Sequence, residues 1–141
     1  MMAGLTLTVV SPEREVLREE GVTLVLAPSV EGQLGILPRH APLITQLEPG
    51  TLELRRGAET QHFSITGGFL EVMDNTVTVL ADASENASEI SRERAEAARE
   101  AAVRDLEEAR QTHDDVMTTQ ARLALLRALA RLRTVERARR G

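Results

Sequence analysis

The stretch TVTVLADASENASEISRERAEAAR, residues 76–99, carries two incompatible hydrophobic periods within a single run. Val77 and Val79 alternate with Thr78 and Leu80, the period of two of a strand with one buried face. From Ala95 onward the period changes: Ala95, Ala98, Ala102, Leu106 and Ala109 recur three or four residues apart, as on one side of a helix. Ser91 stands between them as the expected N-cap, its hydroxyl accepting from one of the first unpaired amides, with Glu93 at the positive end of the helix dipole. The chain therefore changes from strand to helix at about residue 85.

Working toward the N-terminus, the strand pattern continues. Leu5, Leu7 and Val9 alternate with Thr6, Thr8 and Val10; Val22 to Ala27 is a compact β-rich run; Leu52 and Leu54 alternate with Thr51 and Glu53; Phe63 and Ile65 alternate with His62, Ser64 and Thr66. Ser11-Pro12, Gly21, Pro28-Ser29, Gly57 and the pair Asp74-Asn75 carry turn chemistry between these runs. Roughly eight short strands spaced about ten residues apart predict a sandwich or flattened barrel.

Toward the C-terminus, the chain is built mostly of Ala, Glu, Arg and Leu, all strong helix formers. A break is expected at Thr112 to Asp115, but it holds no Gly or Pro, so a hairpin and a single bent helix both remain open. The second helical run, about residues 116–137, has Ala121, Leu125, Ala128, Leu132 and Val135 on one face. Leu123, Leu126 and Ala130 fall on the opposite face, between rails of arginine. A helix tied only to its neighbour needs one apolar stripe. The second either packs on the sheet or serves another partner at other times.

Composition narrows the chemistry. The 141 residues include no Cys and two Phe as the only aromatic side chains. Disulfide scaffolds, thiolate nucleophiles and Cys-based zinc sites are excluded. All 17 basic residues are Arg, which removes lysine Schiff-base and P-loop chemistry. Nothing approaches the ~18 consecutive apolar residues of a membrane span. Met1 to Val10 has neither the basic start and apolar run of a secretory signal nor the look of a transit peptide, so the chain is expected to stay where it is made.

The net charge of −5 is unevenly spread: residues 1–120 hold 10 Arg against 21 acidic residues, and residues 121–141 hold 7 Arg against Glu136 alone. A basic tail on an acidic body marks an interaction segment for an acidic partner or surface. His40, His62 and His113 have no metal-like spacing, and His62 is expected at a surface or strand edge. The adjacent acidic pairs Glu19-Glu20, Glu107-Glu108 and Asp114-Asp115 do not converge on a pocket, and no phosphate-binding glycine motif is present. An independent enzyme is not expected.

Three segments together carry a resemblance: EGQLGILPRHAPL (31–43), TGGFLEV (66–72) and TVTVLADA (76–83). In this order, followed by an Ala/Arg/Glu-rich helical end, they closely resemble the epsilon subunit of F-type ATP synthases. The resemblance implies a β + α fold, a ten-stranded β sandwich over residues 1–86 followed by an antiparallel two-helix hairpin over 87–141. It implies a non-catalytic subunit of the central stalk whose sandwich grips the gamma subunit and rests on the polar loops of the c-ring. Glu31, Gln33 and His40 are the implied contact-loop residues, His40 as a turn organiser. It further implies that the helices can extend toward the alpha and beta subunits and block ATP hydrolysis, with Arg122, Arg127, Arg131, Arg133 and Arg137 meeting an acidic segment of beta.

Some members of this family hold ATP as a regulatory ligand against the hairpin. Ile90, Arg94 and Ala95 match their motif, with Arg127 and Arg131 on the second helix, but Ser91 stands where a carboxylate is expected and Ala101 where an arginine is. No cofactor is required. The implied location is peripheral, on the cytoplasmic face of a bacterial membrane. A nucleic-acid-binding barrel with a basic tail is the competing reading, motivated by the arginines from Arg122 to Arg140 and opposed by the acidic body and missing aromatic platform.

Overall fold

The computed structural model describes residues 4–140. The strands are β1 (Leu5–Ser11), β2 (Arg14–Val22), β3 (Leu24–Ser29), β4 (Gly32–Ile36), β5 (Leu43–Arg56), β6 (Glu59–Met73), β7 (Thr76–Ala81) and β8 (Ser84–Asn86). They form one hydrogen-bonded sheet in the order β2-β1-β7-β6-β5-β3-β4, with β8 paired to β6. The β1–β7 pair is parallel and the other ladders are antiparallel.

This sheet is folded over on itself. Val22 on edge strand β2 and Ile36 on edge strand β4 are both fully buried in the same cluster as Leu7, Leu52, Phe63, Ile65 and Val79. Edge strands that share one core must face each other across it, which is the sandwich expected from the alternation. The described residues show eight strands where the resemblance implies ten. The reason is that β5 and β6 run for 14 and 15 residues, and their ladder is interrupted between Leu47↔Gly68 and Pro49↔Thr66. Across this gap the core-facing positions change parity, from Leu47 to Leu52 on β5 and from Ile65 to Leu70 on β6, and Gly67 and Gly68 of β6 have φ of 116° and 131°. A Cβ on Gly68 would run into the backbone carbonyl oxygen of Leu80, so only glycine lets β7 approach. The β6–β7 turn is made by Asp74 and Asn75, both in the left-handed region, the geometry of a two-residue hairpin loop.

After β8, Asn86 starts a short 3-10 turn, Ala87–Glu89: its side chain accepts from the Ser88 amide at 3.0 Å and its own amide donates to Glu89 Oε1 at 3.2 Å. Ser91 then caps helix α1 (Arg92–Thr112), its Oγ accepting from the Arg94 amide at 3.2 Å, as expected. The hairpin prevails over the bent helix through two polar residues. His113 takes the left-handed conformation, φ 53° and ψ 40°, and the amides of His113 and Asp114 close on the last carbonyls of α1. Asp114 then accepts from the Met117 amide at 3.0 Å, capping helix α2 (Asp115–Arg140).

The two helices meet along alanine: Ala95, Ala102 and Ala109 of α1 and Ala121 and Ala128 of α2 are buried. Small side chains allow close approach and bury little area. The second half of α2 lies across β5 and β6, burying Ala130 and Thr134. The second apolar stripe of α2 is thereby split, because Ala130 is covered while Leu123 and Leu126 remain 43% and 40% exposed. The hydrophobic core itself runs from Leu5 to Ala81 and takes no residue from the helices.

Candidate functional site

The site is the face of the sheet on which α2 lies. On β5, Leu52 and Leu54 point into the core, and alternation sends Thr51 and Glu53 to the other side. On β6, Phe63 and Ile65 are core, and His62 and Ser64 are their outward neighbours. Thr51, Glu53, His62 and Ser64 are nevertheless all buried, so the outer face here is polar and covered. The expectation of His62 at the surface is corrected: it lies beneath the hairpin, 7% exposed.

Glu53 is the centre of this face, 4% exposed. Its Oε2 accepts from Arg55 Nε at 2.7 Å and its Oε1 accepts from Arg137 Nη2 at 2.6 Å. His62 Nε2 lies 3.1 Å from the same Oε1, and since a carboxylate only accepts, the Nε2–H form of the imidazole makes this bond. Burial pushes the Glu53 carboxyl up, but hydrogen bonds and charge from Arg55 and Arg137 outweigh it and hold the group below its usual range. Beside this cluster, Thr51 and Thr134 bring their hydroxyls to 2.8 Å. Further along α2, Arg131 Nε donates to Glu85 Oε1 at 2.8 Å.

The five arginines named from the sequence are thus divided. Arg131 and Arg137 turn inward onto carboxylates of the β part. Arg122, Arg127 and Arg133 are exposed and make no ion pair with any described residue. Four of the five nucleotide residues named from the sequence, Ile90, Arg94, Ala95 and Arg131, line one cavity of about 250 Å3, together with Ser91, Glu85 and Glu89. Arg127 does not line it.

Glu31, Gln33 and His40 are not brought to one place. The segment that carries these implied contact-loop residues contains strand β4, so Glu31 and Gln33 stand at its start and His40 beyond its end. The pairing of β4 with β3, Leu34 opposite Ala27, is what makes that segment a strand. Glu31 is exposed in the β3–β4 turn, its amide donating to Ser29 Oγ at 3.1 Å. His40 Nδ1 lies 2.7 Å from the Ala41 carbonyl oxygen, and the Arg39 amide ties the same loop to Asn75 Oδ1 at 2.6 Å.

Sequence reasoning missed Glu53, Thr51, Thr134 and Glu85 as a group. A Glu between two core leucines reads as the solvent side of a strand, and its Arg137 partner lies 84 residues away. On another part of the sheet, Phe69 of β6 and Leu80 of β7 face each other and are each 54% exposed, with Ile44 of β5 and Met73 also exposed. These apolar residues, with Gln46 and Glu71 beside them, lie on an open part of the sheet that the hairpin leaves uncovered.

Comparison with known proteins agrees with this architecture. Residues 4–87 match the family described as ATP synthase, Delta/Epsilon chain, beta-sandwich domain, and residues 88–136 match its long alpha-helix domain. The ATP synthase epsilon chain of Herpetosiphon aurantiacus is 47% identical over 135 residues, 94% of each chain. That of Syntrophobacter fumaroxidans is 44% identical, covering 97% of this chain and 99% of its own. A chain in the cryo-EM structure of the Euglena gracilis mitochondrial ATP synthase, OSCP/F1/c-ring, superposes with a TM-score of 0.81 at 26% identity over 99% of this chain and 82% of its own. No such agreement supports the nucleic-acid reading, and Arg131 and Arg137 are turned away from an open basic face. Both parts of the chain match in order and the two relatives above cover 94% and 97% of it, so the chain belongs to the ATP synthase delta/epsilon family, as an epsilon subunit of the central stalk with no catalytic role of its own.

Proposed function

We propose that the β part, residues 1–86, fastens this chain to the gamma subunit and the polar loops of the c-ring, while the hairpin, residues 87–141, acts as a brake on ATP hydrolysis. The observation that carries this reading is the character of the hairpin contact. The core takes nothing from α1 or α2, and α2 meets Thr51 through Thr134 and Glu53 through Arg137, on a polar face that also buries His62 and Ser64. An element held by hydrogen bonds and ion pairs over a polar surface can leave without exposing a hydrophobic core.

In its extended form the hairpin would present Arg122, Arg127, Arg131, Arg133 and Arg137 to an acidic segment of the beta subunit, next to alpha. Exposed pairs contribute about 0.2–1 kcal/mol each, so the block needs several together and weakens with salt. The uncovered face of Phe69, Leu80, Ile44 and Met73 is the surface offered to gamma, and Glu31, Gln33 and His40 are offered to the c-ring. The chain then works peripherally, on the cytoplasmic face of a bacterial membrane.

ATP is proposed as a regulatory ligand at the cavity of Ile90, Ser91, Arg94, Ala95 and Arg131. Arg94 makes no ion pair with a described residue, whereas Arg131 is already engaged by Glu85, so phosphate has one ready cation there. Calorimetric titration with ATP, repeated on Arg94→Ala, checks this; equal heats from both chains would remove the site.

The main test is ATP hydrolysis by the reconstituted soluble catalytic complex with the full chain and with a chain ending at Ala87, which retains the whole hydrophobic core. Both are expected to bind gamma, and only the full chain to suppress hydrolysis. Equal suppression by both would make the helices merely structural, and failure of both to bind gamma would overturn the stalk reading.

A further inference from the structure

The contacts that hold α2 on the sheet are unequal. Ala130 and Thr134 are buried there, but the charged contact is concentrated on Glu53, whose carboxylate is served by three donors from three elements: Arg55 of β5, His62 of β6 and Arg137 of α2. Arg133, Arg139 and Arg140 of α2 line cavities at this face and make no ion pair with Glu53. Arg55 and His62 belong to the strands and stay when the hairpin moves. Arg137 is the one donor that leaves with it.

We propose that Glu53 is the latch of the hairpin, a carboxylate buried only while α2 is docked, which holds Arg137 and so competes with any acidic partner group for the same guanidinium. The inference rests on the reading above that the hairpin exchanges partners. Its chemistry is that of a desolvated charge pair. With Arg137 in place, the Glu53 oxygens have their donors and the carboxylate tolerates burial. Without it, the docked state would keep a buried carboxylate short of a donor, and water supplies that donor when α2 lifts away. Glu85 with Arg131 is a second, half-exposed contact of the same sign on the next turns of α2. Two arginines of the tail, Arg131 and Arg137, are therefore held by carboxylates of the β part in the docked chain, and an acidic partner must draw them off those carboxylates.

The test uses the full chain alone, with no stalk partner, so its failure is distinct from failure of the brake. The natural chain has no cysteine. Thr51→Cys with Thr134→Cys places two thiols where hydroxyls now lie 2.8 Å apart, and the disulfide they form reports the docked state. Equilibration against glutathione gives their effective concentration, with circular dichroism confirming that each variant is folded. Adding Glu53→Gln, or separately Arg137→Gln, is expected to lower that concentration at least fivefold, with the two together falling no further than the lower single variant. A drop of less than fivefold in either single variant, or a combined drop equal to the product of the two, would overturn the latch. If Glu53→Gln does not fold, Arg137→Gln, which leaves the sheet intact, decides alone by the same threshold.

Discussion

Thr134 on α2 sits over Thr51 on β5 with the two hydroxyl oxygens 2.8 Å apart, 83 residues distant in sequence. Thr134 Oγ1 also lies 2.8 Å from the Ala130 carbonyl oxygen, and a carbonyl only accepts. The single Thr134 proton therefore goes to Ala130, and Thr51 donates to Thr134. Thr134→Val would leave the Thr51 hydroxyl buried without its acceptor. It is expected to cost about 1–3 kcal/mol, whereas Thr51→Val together with Thr134→Val is expected to be nearly neutral, because no orphan remains. Urea unfolding of the two single variants and the double variant measures the difference.

Glu53 makes docking sensitive to acid. Its carboxyl lies below the usual range in the docked chain, so the docked state favours the ionised form relative to one in which water surrounds the group. The stabilisation is fully present above the ordinary glutamate value, about 4.3, and is lost as pH falls through the lowered value. His62, Arg55 and Arg137 all face the carboxylate. The NMR chemical shifts of the α2 amides over the sheet should be constant above pH 5 and move toward those of the undocked helix in acid, and Glu53→Gln should remove the change.

Gly68 and Gly35 should respond oppositely to alanine. Gly68 has φ of 131° and its missing Cβ is the space taken by the Leu80 carbonyl, so Gly68→Ala is expected to cost more than about 3 kcal/mol or to prevent folding. At Gly35 a Cβ meets only the end of the Leu26 side chain at 3.5 Å, and Gly35→Ala should stay within ~1 kcal/mol. Thermal unfolding of both variants ranks them.

His113 supplies the turn of the hairpin from a left-handed conformation that a side chain disfavours. His113→Gly keeps the geometry and relieves the contact between Cβ and the carbonyl oxygen, so the hairpin should gain about 1 kcal/mol. A higher melting temperature is the expected reading, and a lower one would mean that the imidazole itself contributes to the turn.

Much of this architecture follows from short-range pattern. The switch from a period of two to a helical period near residue 85, Ser91 as the cap of α1, and the Asp74-Asn75 turn depend on neighbours a few residues apart, and they stand in the structure as the local chemistry requires. The basic tail is likewise a property of composition, and the motif residues Ile90, Arg94 and Ala95 share a cavity because they lie on one turn of chain. What the tertiary structure decided is which arginines are free. Nothing near Leu52-Glu53-Leu54 signals a covering helix, and nothing near Arg137 names a partner on β5, because the two are 84 residues apart and meet only once the sheet and the hairpin have both formed. The same long-range packing divided the second stripe of α2, covering Ala130 and leaving Leu123 and Leu126 in water. Local periodicity determines which faces of an element are apolar or charged. Which of those faces is met, and by what, depends on where the folded sheet places the elements relative to one another.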